Sequence, residues 1–203
     1  MYIPKHFKID DPAWIRAFIE EHRFATLVTI ADGEPFATHV PLLYDPEPAP
    51  HGTVRGHVAR ANPHWQTFGK APQLAIFTGP HAYVSPTWYG TPGPSVPTWN
   101  YTAVHAYGNA RIVEDAAAVR ALLERLTARE EAGSTNRYTV DSVDPAYYEH
   151  MSQQIVAFEI PVARLEAKAK LNQNRTPEER RRVAEIVGAD VAALMRELVL
   201  SPK

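Results

Sequence analysis

The chain has 203 residues, 45% of them hydrophobic and 22% charged, with a formal net charge of -2, which is the composition of an ordinary globular protein with room for one substantial core. The near-neutral balance gives no broad attraction for nucleic acid or an anionic membrane. The absence of cysteine excludes disulfides, thiolate zinc sites and a cysteine nucleophile, and with no apolar run of signal-peptide or membrane-span length a soluble cytoplasmic chain is expected.

Asp10-Asp11-Pro12 followed by Trp14, Ile15, Phe18 and Ile19 predicts a first helix ending near His22. Phe24 to Ala31 is rich in β-formers, Asp32-Gly33 is a hairpin turn signal, and Glu34 to Tyr44 resumes as a second strand with Phe36, Thr38, Val40, Leu42 and Tyr44 on one face. Pro41 cannot donate to a ladder, which puts it at a sheet edge or beside an opening where a planar ligand replaces a strand. After the proline-rich loop Asp45 to Pro50, Thr53 to Val58 predicts a third strand that runs into His57-Val58-Ala59-Arg60-Ala61-Asn62-Pro63-His64-Trp65. Asn62 suits a helix cap and Pro63 the first helical position, with a short helix following through Phe68. With Arg60 and His57 beside it, this start reads either as an anion site or as an ordinary capped helix with a solvated arginine.

Gln73 to Thr78 and Ala82 to Ser85 read as two further strands, separated by a break at Gly79-Pro80. The loop Gly90 to Pro97 resists regular structure. Thr98 to Val113 is the longest strand candidate, with Trp99, Tyr101, His105 and Tyr107 on one face and Asn100, Thr102, Val104 and Ala106 on the other. The ring-bearing face reads as an aromatic core, or as a wetter surface suited to a subunit interface or a flat heteroaromatic ligand. Asp115 to Arg129 predicts an amphipathic helix with Val119, Leu122, Leu123 and Leu126 as its apolar stripe. Ser134 to Val143 reads as irregular, Asp144-Pro145 caps a short helix through Met151, and Ile155 to Leu165 reads as a closing strand interrupted near Pro161. Two helices follow, Pro177 to Val187 and Ala189 to Leu200, divided at Gly188. The pattern predicts an antiparallel barrel or sandwich with helical additions.

The chemistry is narrower. Nine histidines occur, but none with the spacing of a zinc helix, and no structural metal is expected. Ser85 and Ser95 lack a nucleophile elbow, and neither a phosphate loop nor a dinucleotide glycine fingerprint occurs. Arg180-Arg181-Arg182 supports a DNA-binding reading, yet Asp190 to Met195 offers almost nothing to base edges, so the run reads as a solvated helix face. Lys170 to Arg175 gathers cations and amides that suit a phosphate and a heterocycle edge, or form a polar linker before a helix capped at Thr176-Pro177.

Several segments together resemble the PaiB family of FMN-binding split-barrel proteins, described as negative transcriptional regulators. They are Met1-Tyr2, Pro4 and Phe7; His57 with Arg60-Ala61-Asn62-Pro63; Tyr83, Ser85-Pro86 and Trp88-Tyr89; Val96 to Tyr101 with Val104-His105 and Gly108; and Lys170-Leu171 with Gln173-Asn174-Arg175. The resemblance implies a mainly β fold, a six-stranded antiparallel Greek-key split β-barrel over residues 1-170 with a C-terminal helical extension, 171-203, packed on it. It implies a homodimer holding FMN at the subunit interface. The backbone of Thr38, His39, Val40 and Pro41 would meet the flavin ring, and His57, Arg60 and Asn62 the phosphate. Trp99, Asn100 and Tyr101 would line the ring or the interface, and Gln173, Asn174 and Arg175 would close over it. Asn172 stands where the family usually has serine. The function implied is a flavin-dependent oxidoreductase served by a nicotinamide donor, or a flavin-responsive negative regulator. The alternatives are a repressor acting on DNA or through a partner without flavin chemistry, and a haem protein with His105 or His39 as ligand.

Overall fold

The computed structural model describes residues 1–48, 50–90 and 93–200. Ala49, Thr91 and Pro92 therefore leave parts of the two expected proline-rich loops outside the described residues. Among the described residues the strands are β1 (Lys8–Ile9), β2 (Phe24–Ala31), β3 (Glu34–Pro41), β4 (Leu43–Asp45), β5 (Thr53–Ala59), β6 (Gln73–Val84), β7 (Thr98–Gly108), β8 (Arg111–Ile112) and β9 (Ile155–Lys170). Six are long, and β1, β4 and β8 are supplements of two or three residues. The order is β3-β2-β6-β7-β9-β5-β4, with β1 and β8 also on β9. This open antiparallel arrangement is the split-barrel architecture. The helices are α1 (Pro12–Glu21), α2 (Ala116–Glu130), α3 (Pro145–Ser152), α4 (Pro177–Ile186) and α5 (Ala189–Met195), the last running into a π-helical turn over Arg196–Leu200.

Local chemistry explains most boundaries. Asp32 and Gly33 take φ of 50° and 85°, the left-handed pair that a two-residue hairpin turn requires. Asp115, Asp144 and Thr176 cap α2, α3 and α4, the last in a reciprocal capping box with Glu179.

Four expectations are corrected. The strand expected over Glu34 to Tyr44 divides at Leu42, whose N–H turns to the Arg23 carbonyl at 2.9 Å, so β4 pairs β5 instead of β2. The break expected at Gly79-Pro80 is absent: β6 is continuous because the missing Cβ of Gly79 makes room for Thr102 Oγ1 and the Phe18 ring, which would lie 2.5 and 2.6 Å from it. The run Thr98 to Val113 ends at Gly108 and restarts as β8 on β9. The closing strand is not interrupted at Pro161; it is the longest described strand, 16 residues. Pro161 faces Thr53, the last pair of the β5 ladder, and the Val162 N–H just beyond it still donates to the Gly52 carbonyl at 2.9 Å, so the strand carries on through the proline.

The chain divides into two compact units. The first comprises Met1–Phe18, Thr78–Val104 and Glu166–Lys203. Its core packs Val84, Tyr89, Ala169, Leu171, Val183, Val191 and Met195, so the inner faces of α4 and α5 find their apolar partners here. The second comprises Ile19–Phe77 and His105–Leu165. There the Phe68 and Phe158 rings meet at 4.9 Å, and Leu122 and Leu126 of α2 pack on Leu43 and Ala157. No described helix is long and apolar enough to cross a membrane.

Candidate functional site

In the second unit, β3 lies at the sheet edge and pairs only β2 among the described residues. Its alternation turns Phe36, Thr38 and Val40 inward and leaves Ala37 and His39 exposed. Pro41 ends the strand and its carbonyl backs onto Gly56, where a Cβ would meet it at 3.2 Å. The unpaired outer edge is therefore the stretch before Pro41. His39 Nδ1 lies 3.1 Å from Thr26 Oγ1 and its ring stacks beside exposed Phe24.

The stretch after β5 resolves into a five-residue 3-10 helix, Pro63–Thr67. Asn62 caps it by accepting from the His64 N–H at 3.0 Å, and its amide Nδ2 donates to Thr38 Oγ1 at 3.0 Å. Arg60 is exposed but oriented. Its Nε donates to the Gln153 carbonyl at 2.6 Å and its Nη2 to the Ile155 carbonyl at 2.9 Å, while its own carbonyl accepts from Trp65 Nε1. Nη1 is left with two N–H groups and no acceptor among the described residues, a donor pair of the kind that meets a phosphoryl oxygen. The guanidinium borders a cavity of about 440 Å³ lined also by Trp65, Val119, Tyr148, Glu114 and Glu149. Because two carboxylates share this wall, the anion-competent part is the guanidinium edge, not the cavity as a whole. His57 is half-buried on β5, its Nδ1 has no hydrogen-bond partner, and burial pushes its pKa below the usual histidine value. The structure thus joins Thr38 to Asn62 directly; no hydrogen bond links His57 to Arg60.

A polar network that sequence reasoning missed supports this region. Fully buried His64 reaches Thr38 Oγ1 through Nδ1 at 2.9 Å and Gln73 Oε1 through Nε2 at 2.9 Å. Gln73 Nε2 faces Thr29 Oγ1, Thr67 Oγ1 and the Ala71 carbonyl at 3.0 to 3.1 Å. The available signal was Thr29, a polar residue on the same inward alternation as Ala25 and Leu27.

The remaining expected residues lie in the first unit. Trp99 is 53% exposed and Asn100 fully buried, its Nδ2 at 3.6 Å from Met195 Sδ. The ring-bearing face of β7 is therefore the outer face here, and the aromatic-core reading is corrected: among the described residues Trp99 meets only His81 and Tyr83 at ring-contact distance. Tyr101 accepts from Lys168 Nζ at 2.5 Å. Gln173 is spent on its own turn, accepting from the Leu171 N–H at 2.7 Å and donating to the Ala169 carbonyl at 2.6 Å. Asn174 is exposed. Arg175 lies over the Tyr89 ring at 4.2 Å and donates to Ser95 Oγ at 3.2 Å. Asn172 takes φ of 65°, a conformation that asparagine tolerates, and donates to Tyr89 Oη at 3.1 Å. Of the arginine run, Arg182 is held by the Tyr89 carbonyl and Glu178, Arg180 is half-buried with its Nε out of water, and Arg181 is exposed.

Comparison with known proteins gives the family and the fold. A family model described as "Putative FMN-binding domain" matches residues 1–164. The chain is 41% identical over 179 residues to the Protease synthase and sporulation protein PAI 2 of Bacillus subtilis, covering 86% of this chain and 83% of that one. Among solved structures, the flavocytochrome Anf3 of Azotobacter vinelandii superposes with a TM-score of 0.64 at 13% identity, covering 86% of this chain and 73% of that one. A FAD- and haem-binding protein of Mycobacterium smegmatis does so with a TM-score of 0.57 at 16% identity, covering 80% and 73%. These two likenesses carry the fold. With the open antiparallel sheet, the family match and the Bacillus relative together, the chain belongs to the PaiB family of FMN-binding proteins.

Proposed function

We propose that the protein is a homodimeric, FMN-dependent oxidoreductase whose Arg60 holds the flavin phosphate. The observation that carries the reading is the guanidinium of Arg60, pinned by two backbone carbonyls with its Nη1 edge open. A guanidinium already fixed loses little further freedom on meeting a phosphate. Asn62 and Thr38 keep that loop in register with β3, whose backbone from Thr38 to Pro41 meets the ring system in this reading. The flavin, when bound, supplies hydride or electron transfer from a nicotinamide donor. The protein's part is to bind and orient it. The exposed rings of Trp99 and Tyr83, at 53% and 43%, support a second copy on the outer face of the first unit.

The name of the Bacillus relative refers to protease synthesis and sporulation, which supports a second reading: a flavin-responsive regulator. The near-neutral charge and the engagement of Arg182 by the Tyr89 carbonyl and Glu178 favour action through a partner protein over direct DNA binding. The test is a titration of the purified protein with FMN and separately with haemin, followed by anaerobic addition of NADH or NADPH. Saturable FMN binding and bleaching of the flavin by a donor support the oxidoreductase. Binding without reduction turns the reading to the regulator, and no FMN binding overturns both.

A further inference from the structure

Lys168 and Lys170 stand two residues apart on β9 and so project from the same face of the strand. Lys168 is 5% exposed. Its ammonium donates to the Tyr2 carbonyl at 3.0 Å and to Tyr101 Oη at 2.5 Å, and lies 4.8 Å from the Tyr101 ring centroid. Lys170 donates to Thr98 Oγ1. Every acceptor is uncharged. Glu166, the carboxylate next along the same face, is ion-paired with the amino group of Met1, and neither lysine has a carboxylate partner among the described residues.

Holding a buried ammonium next to a second, half-buried one without a counterion is costly, and the ordinary remedy is a paired acid. Here that acid is missing. Each ammonium has three donors, so Lys168 keeps one N–H and Lys170 two beyond the contacts above. We propose that Lys168 and Lys170, with the Tyr101 hydroxyl between β7 and β9, form a phosphate-binding site in the first unit. Burial and the adjacent Lys168 charge both push the Lys170 ammonium below the ordinary lysine value, and an anion relieves both. The same unit carries an exposed ring cluster, Trp99 against His81 and Tyr83. A phosphate borne on a flat heterocycle is therefore the matching ligand class. Its source is the diphosphate of a nicotinamide dinucleotide, the donor of the functional reading above on which this rests, since that reading gives the flavin phosphate to Arg60.

The test uses wild-type protein, Lys170→Gln and Arg60→Ala, titrated calorimetrically with inorganic phosphate at low ionic strength and then with FMN, riboflavin and NADH. Lys170 is partly exposed, so its variant is expected to fold; Lys168→Met, which removes a buried contact to Tyr2, is the second variant and is checked for its unfolding midpoint first. Inorganic phosphate is expected to bind wild type and to weaken roughly tenfold in Lys170→Gln, with Arg60→Ala unchanged. A parallel loss for NADH with FMN unchanged identifies the dinucleotide as the source, and a loss for FMN but not riboflavin moves the flavin phosphate from Arg60 to this site and overturns the dinucleotide assignment. No phosphate binding by wild type, or equal binding by Lys170→Gln, overturns the proposal. Failure of FMN to bind at all overturns the functional reading instead and leaves the phosphate titration to decide this one.

Discussion

The side-chain carbonyl of Gln73 lies 2.9 Å from Nε2 of His64 and fixes the tautomer of that buried ring. The Ala71 carbonyl can only accept, so the nitrogen of the Gln73 amide must face it and the oxygen must face His64. Nε2 therefore carries the proton and Nδ1 accepts from the Thr38 hydroxyl, which in turn accepts from Asn62. One directed chain of donors runs from the loop beside Arg60, through the edge strand, to the start of β6. Gln73→Leu strands the His64 N–H and removes the acceptors' partner at Thr29 and Thr67. The expected cost is about 1–3 kcal/mol, seen as a lower urea midpoint with an unchanged slope. A variant as stable as wild type would show that the network is not a structural element.

The same burial sets a pH dependence. His22, His57 and His64 all have pKa values pushed below the ordinary histidine value of 6.5, in each case chiefly by burial. Between the folded and unfolded values the unfolded chain binds more protons, so stability is full above about pH 6.5 and falls as pH drops through that value. The slope is at most about 1.4 kcal/mol per pH unit for one fully buried histidine, and less for the partly solvated His22. Urea unfolding at pH 7.5 and 5.5 measures it. An equal or higher midpoint at pH 5.5 contradicts neutral burial, and His57→Asn is expected to reduce the difference.

Gly79 is the point where β6 accepts a proline neighbour without breaking. An alanine Cβ there would sit 2.5 Å from Thr102 Oγ1 and 2.6 to 2.7 Å from two carbons of the Phe18 ring. Phe18 is 4% exposed and packs on Trp14, so its ring has little room to retreat. Gly79→Ala is expected to cost about 1–3 kcal/mol. Gly93→Ala, where no described residue lies within 4 Å of the position a Cβ would take, serves as the comparison and is expected to change stability by less than about 0.5 kcal/mol. Equal midpoints for the two variants would remove the steric account of the continuous strand.

The elements legible in the sequence were those specified locally. Phe24 to Ala31, the Asp32-Gly33 turn, and the capped helices at Asp115, Asp144 and Thr176 depend on neighbours within a few residues, and the structure places them as read. The misread boundaries were set by distant partners. Pro161 looks like a strand breaker until the Val162 N–H is found bonded to the Gly52 carbonyl just past it, and Gly79 until Phe18 and Thr102 are found beside it. The site divides in the same way. Arg60 and Asn62 announce themselves by cap chemistry, but the Gln153 and Ile155 carbonyls that aim the guanidinium lie more than ninety residues away. Lys168, silent in a polar run, acquires meaning only because Tyr101 and Tyr2 enclose it.

Arg60 makes the sharpest prediction because its two roles separate experimentally. Two backbone carbonyls orient the guanidinium, and its Nη1 edge is the proposed phosphate ligand. Arg60→Ala removes both, so affinity for FMN is expected to fall by about 1.5–3 kcal/mol, the value of a charge-assisted hydrogen bond. Riboflavin, which has the ring system without the phosphate, is expected to bind the variant as it binds wild type. Arg60→Lys keeps the charge but has no planar fork to hold two carbonyls and a phosphate together, and is expected to fall between the two. The carbonyl contacts are solvent-exposed, so the unfolding midpoint should move little. If riboflavin weakens as much as FMN, Arg60 acts by shaping the loop between β5 and the Pro63–Thr67 helix, and the phosphate must be sought elsewhere, first at Lys168 and Lys170.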